Sequence, residues 1–198
     1  MPFIDTPDAS AGEQTAAMYA RAEAGYGYLP NMVKAFGLRP EVMANWDALL
    51  AGIKANMDLR RYELVTMAAA RELKSSYCML AHGSVLLRDI FTADEVRHVA
   101  ENPIEAPIDE AERAIMRFAA KVVRDATAIE QPDVDALKRH GLSDAEIFDI
   151  VTAAAVRCFF SKTLDALGVQ PDGIYDKLEP GLKASLVVGR AIDGTTSD

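Results

Sequence analysis

The sequence predicts an all-α fold, and three observations carry that prediction. Helix-start signatures recur along the chain, and apolar residues return at three- and four-residue steps behind them. Half of the 198 residues are apolar while aromatics make up 7%, a balance that suits packed helices better than sheets. No stretch alternates apolar and polar residues with β-branched enrichment, and no Asn-Gly or Asp-Gly turn joins two strand-like runs.

Each element can be justified in order. Ser10 with Glu13, Thr92 with Glu95, Asp109 with Glu112 and Ser143 with Glu146 all have capping-box spacing. In "EVMANWDALLAGIKAN", Val42, Met43, Trp46, Leu49, Leu50 and Ile53 make one apolar stripe. Behind Asp109 the stripe is Ile115, Phe118, Ala119, Val122 and Val123, and Gly168 stops the segment that opens at Ser143. "GYGYLP", Arg39-Pro40 and the stretch from Asn102 to Pro107 punctuate helices rather than separate domains. The prediction is about seven to nine helices in a single domain with a full core. Residues 1–168 form that domain. Residues 169–198 read as a C-terminal extension with a short helix over "LKASLVVGR", suited to packing on a neighbouring subunit.

One internal echo stands out. "ELVTMAAARELKSS" from Glu63 resembles "DIVTAAAVRCFFSK" from Asp149, with Val65, Thr66, Ala68, Ala69, Arg71 and Ser75 matching Val151, Thr152, Ala154, Ala155, Arg157 and Ser161 at a constant offset. Alanine-rich helices match easily, so the echo suggests a duplicated helical unit without proving one. In it, Leu164 and Gly168 take the places of Cys78 and His82.

Composition narrows the function. The formal charge of −9 argues against a nucleic-acid backbone or an anionic membrane as partner. No apolar run is long enough to span a bilayer, and "MPFIDTPDAS" lacks the features of a signal peptide. Two cysteines are no disulfide framework, so the expected compartment is the cytoplasm.

The stretch "SSYCMLAHG" carries what chemistry the sequence offers. Asp58 is placed to cap a helix through "LRRYELVTMAAAREL", and Ser75 and Ser76 to start a second one. Cys78 then lies in the first turn of that second helix, where free backbone N–H groups favour a thiolate. His82 follows one turn later on the same face, and Glu63 sits upstream among Tyr62, Leu64, Val65 and Met67. A carboxylate in such company needs a partner, and a proton relay through His82 gives it one. The plainer reading makes Cys78 a small buried hydrophobe and His82 a half-exposed surface residue. Cys158, between Val156 and Phe159, reads as core, while His98 and His140 read as solvated residues near helix ends. Glu63, Cys78 and His82 lack a fourth ligand and any zinc spacing, so no metal is expected.

Taken together, Glu63, the intervening helix and S-x-x-C-x-x-x-H resemble the AhpD-like alkylhydroperoxidase family of the carboxymuconolactone decarboxylase superfamily. In that motif a glutamate precedes C-x-x-C-x-x-x-H, and Cys78 and His82 fall on its second cysteine and its histidine. "GYLPNMVKAFGLRPEVMANW" and "LDALGVQPD" are similar to the peroxidase-related branch, so the likeness spans roughly residues 25–172. The resemblance implies an all-helical, internally duplicated fold that assembles as a homo-oligomer (dimer, trimer or hexamer). It also implies thiol-dependent reduction of hydroperoxides without a bound cofactor, with Cys78 as the thiol and Glu63 and His82 as its relay. Ser75 stands where the first cysteine belongs, and Tyr77 where a histidine can occur; both are candidates for substrate binding. Without that first thiol, turnover needs an external thiol reductant, a cysteine from another subunit, or a fold that brings Cys158 close, and a core Cys158 disfavours the last. Two other readings stay open: acid–base chemistry by Glu63 and His82 on a small carboxylated substrate, and a non-catalytic helical oligomer.

Overall fold

A computed structural model describes residues 2–103 and 105–194; the last four residues of the expected extension lie outside the described residues. Ten α-helices and three short 3₁₀ turns make up the described residues, with no strand among them. The helices are α1 (Glu13–Tyr26), α2 (Asn31–Phe36), α3 (Pro40–Lys54), α4 (Leu59–Glu72), α5 (Ser76–Asp89), α6 (Ala93–Glu101), α7 (Glu110–Arg124), α8 (Gln131–Arg139), α9 (Asp144–Ala166) and α10 (Pro180–Leu186). None is long and apolar enough to cross a membrane.

The capping signals start α6, α7 and α9 as expected. Thr92, Asp109 and Ser143 each accept the N–H three residues on, and Glu95, Glu112 and Glu146 reach back to complete the box. Ser10 differs. It sits in a 3₁₀ turn whose cap is Asp8, and α1 begins only at Glu13 behind Gly12. The Asp8 carboxylate is the stronger acceptor and takes both the amide and the hydroxyl of Ser10. At the far end of α9, Gly168 adopts the left-handed conformation (φ +72°) that ends a helix without a Cβ penalty.

The fold is centred on α4, which packs against α5, α7 and α9. Nine of its residues, from Tyr62 to Ala70, are buried in succession, because neighbours enclose it on every side. This packing of α4, α7 and α9 agrees with an internally duplicated helical fold. On α3, Met43, Trp46 and Ile53 face the core, but Leu49 is 56% exposed. The buried line runs 43–46–50–53 and leaves Leu49 beside it.

Beyond Gly168 the chain folds back over its own helices. Val169, Leu182, Leu186 and Ile192 are buried, and α10 lies against α5 and α6. Gly83 makes that contact possible: a Cβ there would meet the Leu186 side chain at 2.9 Å. Asp172 accepts the Asn31 amide at 2.7 Å and the Tyr77 hydroxyl. A single carboxylate thereby joins the C-terminal segment to the starts of α2 and α5.

Candidate active site

The site is built where α4, α5 and α9 meet. Asp58 caps α4 through the Arg61 amide at 2.8 Å, which sets Glu63 in the second turn. Helix α5 starts at Ser76 with Ser75 in the N-cap position, as its sequence predicts. The Ser75 hydroxyl makes no cap bond, however. It is fully buried beside Asp165 without meeting hydrogen-bond geometry, while the Ser76 hydroxyl accepts the Gly189 amide at 2.8 Å.

Cys78 lies in the first turn of α5 and is 1% exposed. Its sulfur is 3.1 Å from the Ser161 hydroxyl of α9. One turn on, His82 Nδ1 is 2.6 Å from a carboxylate oxygen of Glu63, itself buried, and Arg157 Nη1 is 3.1 Å from His82 Nε2. A guanidinium only donates, so Nε2 is the acceptor and Nδ1–H points at Glu63. Burial drives the His82 pKa below its ordinary 6.5, outweighing the Glu63 hydrogen bond that raises it, and Arg157 and Lys54 lower it further. His82 is therefore neutral at pH 7. The direct partner of Cys78 is Ser161, and the imidazole stands next along α5 rather than on the sulfur.

Cys78 and His82 line one cavity of about 400 Å³, a size within the range of small-molecule sites. Trp46, Tyr62, Tyr77, Arg157 and Phe160 share its wall. Tyr77 is fixed there by Asp172, and its burial, followed by that carboxylate, raises its pKa so that it stays a phenol. Ser75, in contrast, is not among the lining residues. Among the described residues no three His, Cys, Asp or Glu side chains are grouped to hold a metal ion.

Sequence reasoning missed two members of this constellation, Arg157 and Ser161. Both were present in the internal echo, as counterparts of Arg71 and Ser75. Their four-residue spacing puts them on one face of α9, and nothing in the sequence says that this face meets α5. Cys158 needs a correction. It is half-buried rather than core, with its sulfur turned to its own helix at the Ala154 carbonyl (4.0 Å) and its neighbour Phe159 46% exposed. One position along from Arg157, it points roughly a quarter-turn away.

The fold is of the AhpD-like helical type. Residues 40–121 match the model of the carboxymuconolactone decarboxylase family. The fold is also that of an AhpD-core, peroxidase-related protein from Ralstonia eutropha JMP134 (TM-score 0.79, 21% identity, 88% of this chain and 94% of that one). A peroxidase-related protein from Silicibacter sp. TM1040 is similar to the same degree (0.79, 23%, 89% and 94%). The debrominase Bmp8, solved with 2,3,4-tribromopyrrole after a cysteine-to-alanine change, is similar at 0.71 and 19%, over 93% of this chain and 95% of that one. No protein of curated function matches in sequence.

Proposed function

We propose that this chain reduces organic hydroperoxides through Cys78. The observation that carries the reading is a lone thiol in the first turn of α5, on the wall of a small cavity, with a Glu63-bound imidazole one turn away. In the proposed step the Cys78 thiolate attacks the terminal peroxide oxygen. An S–O bond forms, the O–O bond breaks, and the leaving alkoxide takes a proton to become an alcohol. Cys78 is then a sulfenic acid. His82, held by Glu63, accepts the thiol proton at Nε2, which Arg157 Nη1 gives up for the step, and returns one to the alkoxide.

Ser75 cannot close a disulfide with Cys78, and Cys158 lies on α9 outside the cavity lining. The resolving thiol is therefore external. One thiol displaces water to give a mixed disulfide, and a second releases Cys78 and leaves as the oxidised dithiol. Exposed Phe148 and Phe159 on α9 support self-association.

The test follows cumene hydroperoxide consumption with excess dithiothreitol. Wild type turns over and Cys78→Ser falls to the background rate; equal rates end the proposal. One observation favours a second reading. His82 is kept neutral by burial and oriented by Glu63, which also suits acid–base chemistry on a carboxylated lactone. Lactone turnover lost in His82→Ala and kept in Cys78→Ser is the signature of that chemistry.

A further inference from the structure

A second cavity, of about 470 Å³, lies between α4 and α7 and has no lining residue in common with the first. Arg71 of α4 lines it, about two and a half turns beyond Tyr62, which lines the catalytic cavity, so the two cavities use opposite faces of one helix. The floor is apolar, with Met67, Ala68, Val99 and Met116, and no aromatic ring is among the described lining residues. The rim is cationic: Arg71, Lys74, Arg113, Arg117 and Arg124.

Five of the chain's 21 lysines and arginines thus stand around one cavity, in a protein of net charge −9. Two of the five are neutralised on the spot. Arg124 holds Glu72 through two nitrogens at 2.8 Å, and Arg113 meets Glu110 at 3.0 Å. Glu72 is the one acid among the described lining residues, so none is left for the other three. Arg71 gives one nitrogen to the Ala100 carbonyl and has no ion pair among the described residues. The side chains of Lys74 and Arg117 are exposed and make no hydrogen bond or ion pair there; Lys74 acts on Glu72 only through space. Like charges gathered without counter-charges repel one another, and a chain with 30 acidic residues has the means to pair them.

The internal echo relates this cavity to the catalytic one. At the same constant offset Arg71 matches Arg157 and Lys74 matches Phe160. The first of each pair lines this cavity and the second lines the other. The two hollows therefore correspond, one furnished with a thiol and aromatic rings, the other with cations and thioethers.

We infer that the second cavity binds an amphipathic organic anion, a medium-chain aliphatic carboxylate. The uncompensated cations Arg71, Lys74 and Arg117 hold its head group, and its alkyl body lies on the apolar floor. Guanidinium groups match the two oxygens of a carboxylate, and a rim of one sign draws such ions from solution. Two flexible thioethers and no aromatic ring suit a bending alkyl chain better than a flat ring. The size is within the range of small-molecule sites. This site is independent of the chemistry assigned to Cys78.

The experiment titrates decanoate into the protein by calorimetry, below the concentration at which it forms micelles. Decyltrimethylammonium, with the same chain and the opposite charge, and inorganic phosphate, an anion with no chain, are the comparisons. Decanoate is expected to bind saturably and at least about tenfold more tightly than either, as charge-assisted hydrogen bonds require. Arg117→Glu and Lys74→Glu, both at exposed positions, each weaken it by about tenfold. Arg139→Glu, an exposed cation on α8 outside the lining, leaves it unchanged. Equal binding of decyltrimethylammonium or of phosphate overturns the inference, because the charge or the chain is then idle. Decanoate binding untouched by both reversals lies elsewhere and overturns it too, as does a lack of saturable binding or an equal loss in Arg139→Glu. The head-group contrast in the wild type decides the matter where a variant fails to fold.

Discussion

The two halves of the internal echo begin alike and end differently. In the first, α4 stops after Glu72, Lys74 takes a left-handed turn (φ +54°), and a new helix opens at Ser76. In the second, α9 runs unbroken through Ser161 to Ala166. The break gives the first half a fresh helix start, and it is there that Cys78 sits. Matched residues diverge accordingly. Arg71 is exposed and bonds the Ala100 carbonyl, whereas Arg157 is buried against His82. Ser75 has no partner within hydrogen-bond geometry, whereas Ser161 meets the Cys78 sulfur. The first half supplies the thiol, the imidazole and the carboxylate, and the second supplies the groups that face them. One sequence pattern thus serves two tasks, according to where its helix ends.

This division can be broken experimentally, starting with its largest effect. Glu63→Ala removes the carboxylate from a buried chain that ends at Arg157 and is expected to destabilise the protein by about 3–5 kcal/mol in urea unfolding. Glu63→Gln keeps an acceptor for His82 Nδ1 and retains most of that stability, so equal losses in the two variants would count against the chain. The serine pair gives a smaller and sharper contrast. Ser161→Ala is expected to cost about 1 kcal/mol through its bond to Cys78, while Ser75→Ala stays within about 0.5 kcal/mol. Matching costs would mean the halves are not divided in this way.

The smallest effect is in the pH dependence of stability. The folded pKa of His82 lies below its ordinary 6.5, with burial as the main cause. Below pH 6.5 the unfolded chain then binds more protons than the native one at this position. The His82 contribution is fully present above 6.5 and is lost as pH falls toward the folded value. Melting temperatures taken from pH 8 to pH 5 should show His82→Gln losing less than wild type on the acid side. A larger acid loss in the variant would mean the sign is wrong.

Most of the fold was legible because its signals are local. Capping boxes at Thr92, Asp109 and Ser143 act within three residues, and Gly168 marks a stop by its own backbone preference. One error was itself local: Ser10 lost its role to Asp8, the stronger acceptor two residues back. The other came where a distant neighbour decides, since Leu49 lies beside its stripe because α3 meets the core along another line. Within the site, Cys78 and His82 share one helix and could be paired by spacing, and Glu63 needed only the helix before it. Arg157 and Ser161 come from a helix some eighty residues on, and only tertiary packing brings that face to α5.

The central claim is that Cys78 itself is oxidised by a hydroperoxide. It is tested most directly by adding one equivalent of cumene hydroperoxide to the reduced protein, trapping sulfenic acid with dimedone and mapping the adduct by peptide mass. The account predicts one adduct, on Cys78, absent from Cys78→Ser. An unmodified Cys78 after excess hydroperoxide, or an adduct confined to Cys158, would contradict it.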